Sequence, residues 1–467
     1  MRTTTMPQTN ERRGRIRRFL PWLSAAVVAL VLPLAACQDV LDVDDPDIVT
    51  PGNLLDEAGL QTLRNGALGN FALAWAGGGF NDGQVMISGL MTDEWMHSGT
   101  FPTRQEVELR SIPTDNSSLA GLYLRLQQAR SDLENAAGKI EEAVPDPTAE
   151  ARIPELLAYA GYTYLAFGEN YCSGVPFSLA PDTGALVFGE PETTTQIFQR
   201  AVAHFDAVLA HAAVPSSIAD LARVGKGRAL LNLDQPAAAA TAVASVPYDY
   251  VRYTEHSNNS TREQNPIYEL NYQERRWSVA DREGINGLDF RSSGDPRVNS
   301  VLDSRGGFDG ASELWHFTHF QYWTDRVALA TGIEARLIEA EADLRAGDVS
   351  SWLGILNQLR TDFATLAPIL YPDNPPSGTL APLADPGTST AREDLHFRER
   401  AFWLYSTNHR LGDLRRLIRQ YGRSADSVFP TGPYFKGGES YATDVNLPIP
   451  EEEENNPYFG QCLDRNP

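Results

Sequence analysis

The side chains able to do chemistry are spread thinly along the 467 residues. No HExxH pair, phosphate-binding Walker loop, GxSxG elbow or dinucleotide fingerprint is present. His316 and His319 flank Phe-Thr, but a zinc site needs three or four ligands and no third partner stands beside them. Asp93 and Glu94 are the one carboxylate pair that invites an acid/base reading, as in a glycosidase. Acids are abundant here, however, and neighbours in sequence rarely face one another. The aromatic residues say more. Trp95, His97 and Phe101 form one group, and Trp277, Trp315, Tyr322 and Trp323 a second. Flat rings stack on the apolar faces of sugar rings while nearby Asn, Asp, Gln or Arg side chains bind hydroxyls. The competing reading is that these rings pack loops onto a scaffold.

The elements that would position them read as helix pairs. Thr193-Thr-Thr-Gln196 spells a capping box, and Phe198, Val202, Phe205 and Leu209 follow at helical spacing, with a partner at about 217–233. Further pairs are 117–143 with 151–171 and 328–345 with 350–366, the latter broken by Ala346-Gly-Asp348. Thr390-Ala-Arg-Glu393 caps a helix to about Tyr421, and 53–76 forms one more, stopped by Gly77-Gly-Gly79. The fold class is mainly α: tetratricopeptide-like pairs as a scaffold, few short strands, and long aromatic-rich insertions at about 77–116, 248–323, 371–388 and 429–467. Such long loops on a scaffold are usually functional.

Charge and leader narrow the class. The chain has 39 Lys+Arg against 61 Asp+Glu, and residues 1–36 hold six Arg and one Glu. The other 431 residues carry 33 basic and 60 acidic side chains, a formal −27. Such a body repels phosphate backbones, so nucleic acid is excluded as a partner. Arg12, Arg13, Arg15, Arg17 and Arg18 precede the apolar run Trp22–Leu32, and Leu34-Ala-Ala-Cys37 closes it. The run is too short to span a bilayer and ends in the small residues that signal cleavage needs. It resembles a bacterial lipoprotein signal, with 1–36 as leader and Cys37 as the lipidated residue. An acidic tether (37–52) follows, and 53–467 reads as one helical domain. With Cys37 lipidated, Cys172 and Cys462 remain; outside the cytoplasm they can pair, or stay as two buried thiols.

The order of segments resembles the SusD/RagB family of outer-membrane nutrient-binding lipoproteins. The resemblance rests on Arg398-Glu-Arg400, Asn408-His-Arg410-Leu-Gly-Asp-Leu-Arg-Arg416, Leu447-Pro-Ile-Pro-Glu451 and Asn455-Asn-Pro457 at the end of the chain. Thr324-Asp-Arg326 through Ile333–Ala342 to Ala346-Gly-Asp348, and the stretch Tyr159–Pro176, carry it in the middle. Departures are the three Lys (Lys139, Lys226, Lys436), the long Arg-rich leader and the two extra Cys. The resemblance implies no catalysis, no cofactor or metal, and an outer-membrane position facing the exterior. It also implies a TonB-dependent, SusC-like transporter barrel as partner, and an oligosaccharide or peptide ligand on loop-borne aromatics. Alternatives are a lipid-anchored glycoside hydrolase using Asp93 or Glu94, and a helical envelope scaffold with no small ligand.

Overall fold

The capping box forms as spelled. The Thr193 hydroxyl accepts from Gln196 N at 3.3 Å, and Gln196 Oε1 accepts from Thr193 N at 2.8 Å, at the head of the helix Thr194–Ala210. This geometry comes from a computed structural model that describes residues 55–179 and 185–463. The leader, Cys37 and the tether lie outside the described residues.

The principal helices are α1 (Glu57–Trp75), α2 (Gln84–Met91), α3 (Pro102–Glu108), α4 (Ser117–Ala143), α5 (Arg152–Asn170), α6 (Thr194–Ala210), α7 (Ser216–Asn232), α8 (Pro236–Val243), α9 (Gly332–Ala346), α10 (Val349–Thr361), α11 (Phe363–Leu370), α12 (Ser389–Trp403) and α13 (Arg410–Tyr421). They stack in chain order, with the long insertions looping out between some neighbours. Helix α1 lies on α4, α4 on α5, α5 on α6, α6 on α7, α7 on α8, α8 on α9 and α9 on α10. The fold is therefore mainly α with stacked helix pairs. Close approach is built into the sequence: a Cβ on Gly161 of α5 would stand 2.6 Å from the Phe205 ring, and one on Gly225 of α7 only 2.4 Å from it. Glycine disfavours a helix interior, so its presence at two positions against one phenyl ring reflects packing.

Among the described residues the strands are short and pair antiparallel as five ribbons: β1 (Gly77–Gly78) with β2 (Asn81–Asp82), β3 (Trp95–His97) with β7 (Trp277–Val279), β4 (Val175–Pro176) with β5 (Pro191–Glu192), β6 (Val251–Thr254) with β10 (Val327–Thr331), and β8 (Ser300–Asp303) with β9 (Leu314–Phe317). Cys172, just past α5, is disulfide-bonded to Cys462 across 5.9 Å between Cα atoms. Leu463 N donates to Ser173 O beside it.

Three expectations need correction. Residues 328–331 are strand, because pairing with β6 outweighs the helical preference of Ala-Leu-Ala, and Thr331 caps α9 by accepting from Glu334 N at 2.9 Å. The helix read as starting at Thr390 and running to Tyr421 is capped by Thr388 and is two helices. Ser406 (φ 57°) and Asn408 (φ 64°) break it in the left-handed region, held by Ser406 N to Glu94 Oε1 and Asn170 Nδ2 to Asn408 Oδ1. Segment 77–116, expected to be irregular, contains α2 and α3; α2 is buried on every side and so shows no amphipathic period.

Candidate functional site

The second insertion builds an aromatic cleft. Asn265 caps a turn by accepting from Ile267 N and Tyr268 N, Pro266 fills the first helical position, and a π-helical turn, Glu269–Gln273, follows. Tyr268 and Tyr272, four residues apart, stack with centroids 5.3 Å apart and planes 14° from parallel. Buried Asn271 staples the turn to the ribbons. Its Nδ2 donates to Trp277 O at 2.7 Å and Trp315 O at 3.1 Å, and its Oδ1 accepts from Phe317 N at 3.0 Å.

Opposite stands the hairpin β8–β9. The His316 ring lies 4.5 Å from Tyr272 and hydrogen-bonds Asp303. Arg305 Nε donates to Asp303 at 2.9 Å, and its guanidinium sits 5.1 Å over the Tyr272 ring. The Arg305 hydrogen bond, helped by His316, holds the Asp303 carboxyl well below the ordinary carboxylate range. Burial lowers the His316 imidazole against the pull of Asp303. A third wall is the loop 318–323, where buried Asp325 accepts from Tyr322 N at 2.9 Å and from Asn374 Nδ2 at 2.9 Å.

Between these walls lies a cleft of about 470 Å³, lined by Tyr268, Tyr272, His316, Phe320, Gln321 and Tyr322 among others. Tyr272 is 41% exposed and Tyr322 59%, and the two rings open onto the same cleft. Gln321, Thr318, Ser304 and Asp303 rim it with hydroxyl-binding groups. Stacking faces with polar groups at the edge make a surface suited to a neutral, ring-built ligand.

The residues singled out in the sequence divide sharply. Tyr322 lines the cleft, and Trp323, half-buried, sets its edge against Tyr268 at 5.6 Å. Trp315 is half-buried beneath the Arg291 guanidinium, 4.7 Å from its ring. Phe101 is exposed but flanked by Arg104 and Arg276, each 4.7 Å from its centroid, and does not line the cleft. Trp95, His97 and Trp277 need correction as ligand contacts: all three are buried in the β3–β7 ribbon and offer no face to solvent. Trp95 donates to Ser406 Oγ at 3.3 Å and meets Phe317 edge-on, while burial lowers His97 to about 3.

The acid pair is also structural. Asp93 accepts from Arg410 Nε at 2.7 Å and Nη2 at 2.9 Å and from Leu288 N at 2.8 Å. Burial pushes its neighbour Glu94 up to about 8. Neither can reach a substrate, so the hydrolase reading loses its acid/base pair. Among the described residues no group of three His, Cys, Asp or Glu side chains stands ready for a metal.

Sequence reasoning missed Tyr268, Tyr272, Asp303 and Gln321, and weighed His316 only as a metal ligand. The Asn265-Pro266 cap followed by two Tyr four apart was the available signal.

No family model matches the sequence, and no curated protein does. Solved structures do match the fold. A SusD superfamily protein from Parabacteroides distasonis superposes with TM-score 0.64 at 13% identity, covering 87% of this chain and 99% of its own. One from Bacteroides fragilis gives 0.62 at 14%, covering 86% and 97%. A SusD-like carbohydrate binding protein from Bacteroides vulgatus gives 0.53 at 14%, covering 76% and 82%. Stacked helix pairs bearing long insertions, in the segment order the sequence spells, give this chain the fold of the SusD superfamily.

Proposed function

We propose that the protein is a nutrient-binding lipoprotein of SusD type that captures an oligosaccharide and hands it to a TonB-dependent transporter in the outer membrane. The observation that carries this reading is the cleft of exposed Tyr272 and Tyr322, with stacked Tyr268 and His316 behind. The SusD fold supports it, as does the carbohydrate binding stated of one similar protein. Cys37 is the anchor in this reading, and the −27 body stands off anionic headgroups while the acyl chains hold it. Capture needs only binding; delivery requires a partner barrel that accepts the loaded protein.

The test is retention on a broad panel of immobilised oligosaccharides and peptides, followed by titration of the best binder. Tyr272→Ala and Tyr322→Ala should each weaken binding by about five- to tenfold, the loss of one stacking face. Wild-type affinity in both variants, or a silent panel, rejects the reading. Co-purification of a transporter barrel with the tagged protein tests delivery.

A further inference from the structure

Adjacent side chains on a strand point to opposite faces, so Trp315 and His316 look away from one another across β9. His316 serves the tyrosine cleft. Trp315 meets Arg291, which lines a second cleft of about 380 Å³ with Arg282, Glu283, Glu313, Phe435 and Tyr441.

The hydrogen-bonding capacity of this second cleft is unevenly used. Asp281 Oδ1 is taken up by Arg291 N, Ser292 N and Ser292 Oγ at 2.9, 2.9 and 3.1 Å. Glu313 accepts from Trp315 Nε1 at 3.1 Å. Glu283 is buried and receives the Tyr441 hydroxyl; burial raises it to about 7, which suppresses its charge. Arg291 is different. Its Nε and Nη1 are buried and find no hydrogen-bond acceptor among the described residues, the Glu313 carboxylate lying 3.9 Å from Nη1. Arg291 is half-buried, and buried guanidinium donors left unmet are costly unless an anion completes them. Exposed Arg282 adds a second positive charge, and exposed Phe435 an apolar wall for a ring.

We propose that this cleft is an acid-sugar subsite in which Arg291 binds the carboxylate of a uronate residue. The inference rests on the oligosaccharide reading above and adds a charge class to it. A planar monoanion fits better than a phosphate, because Asp281 and Glu313 stand at the cleft and repel a second negative charge.

The experiment is calorimetric titration with uronate oligomers of several linkages, each against its carboxyl-reduced neutral counterpart. Wild-type protein should prefer at least one acidic member by about tenfold, a preference that shrinks in high salt. Arg291→Ala should erase the preference while leaving neutral binding in place, and Arg291→Lys should keep part of it. Tyr272→Ala should weaken acidic and neutral members alike. If Arg291→Ala does not fold, Arg291→Gln removes the charge with less loss of packing on Trp315. Equal wild-type affinity for every acidic and reduced pair overturns this inference and leaves the oligosaccharide reading standing. An acid preference that survives Arg291→Ala or Arg291→Gln overturns it as well. No binding by any oligomer, neutral or acidic, overturns both.

Discussion

Arg228 on α7 grips Glu169 on α5 through two hydrogen bonds, Nε to Oε1 at 2.8 Å and Nη2 to Oε2 at 2.5 Å, with both side chains only 3% exposed. The same guanidinium donates to Asn408 O in the break between α12 and α13, and Asn232 Nδ2 adds a third bond to Glu169 at 2.9 Å. One ion pair thus joins two helices of the stack to the segment that re-aims the chain. Removing one partner leaves a buried charge, so Arg228→Ala should cost about 3–5 kcal/mol in urea unfolding. The double variant Arg228→Met with Glu169→Leu should cost far less than the sum of its parts. Additive effects would show that the two residues do not act together.

Gly161 and Gly225 make a prediction of opposite sign to helix propensity. In an exposed helix, Gly→Ala stabilises by about 1 kcal/mol. Here the new methyl would meet the Phe205 ring from α5 or α7, and overpacking of this kind typically costs about 1–3 kcal/mol. Either substitution should lower the melting temperature, and Phe205→Leu should recover part of the loss in the Gly161→Ala background. A stabilised Gly161→Ala protein would refute the close approach.

Buried carboxyls and buried imidazoles pull stability in opposite directions with pH: His97 and His319, lowered by burial to about 3 and about 4, favour folding more as pH rises to 6.5, and the carboxyls less. Burial raises Glu94 to about 8 and Glu283 to about 7, against an ordinary value of 4.5. Between 4.5 and about 7 the unfolded chain releases both protons while the folded protein keeps them, and for Glu94 this extends to about 8, so these two groups favour unfolding as pH rises. At the acid end the sign reverses. Asp413, opposed by its burial but paired to Arg400 and Arg416, sits at about 2, as does Asp309 beside Lys436. Their contribution is complete above 3.8 and lost as pH falls through 2. In thermal melts the midpoint of Glu94→Gln relative to the wild-type protein should rise from about pH 5 to about pH 8.5, because only the wild type loses the Glu94 contribution over that range. A difference between the two proteins that does not change with pH contradicts the burial of Glu94.

What was legible from residues alone follows periodicity. The Thr193 capping box and the amphipathic faces of α4 and α6 announce themselves, because one stripe is apolar and its period is local. The buried α2 has no polar face to set a period. The strand β10 exists only because β6 lies beside it, seventy-odd residues earlier in the chain. The break at Ser406 and Asn408 needs Glu94 and Asn170 as distant partners, which no local pattern reveals. The cleft suffered for the same reason. Trp95 and Trp277 carry the ring chemistry of a binding surface, yet both are fully buried, Trp95 against Tyr405 and Ser406 from the far end of the chain, and solvent is left to the smaller Tyr272 and Tyr322.

The bond between Cys172 and Cys462 should resist reduction in the folded state, since Cys172 is fully buried. Non-reducing peptide maps should contain one cross-linked fragment bearing both cysteines. Cys462→Ser should lower unfolding free energy by about 2–4 kcal/mol. Two alkylatable thiols in the folded protein would refute the pairing.

That bond turns most of the molecule into a covalent loop, closed across a sequence separation of 290. Every helix from α6 to α13, and every wall of both clefts except Met96, lies on the loop. In the proposed setting outside the cell, proteases would meet its surface turns. A single cut anywhere in the loop opens the ring but releases no fragment, so the nicked chain stays in one covalent piece until a second cut or a reductant arrives.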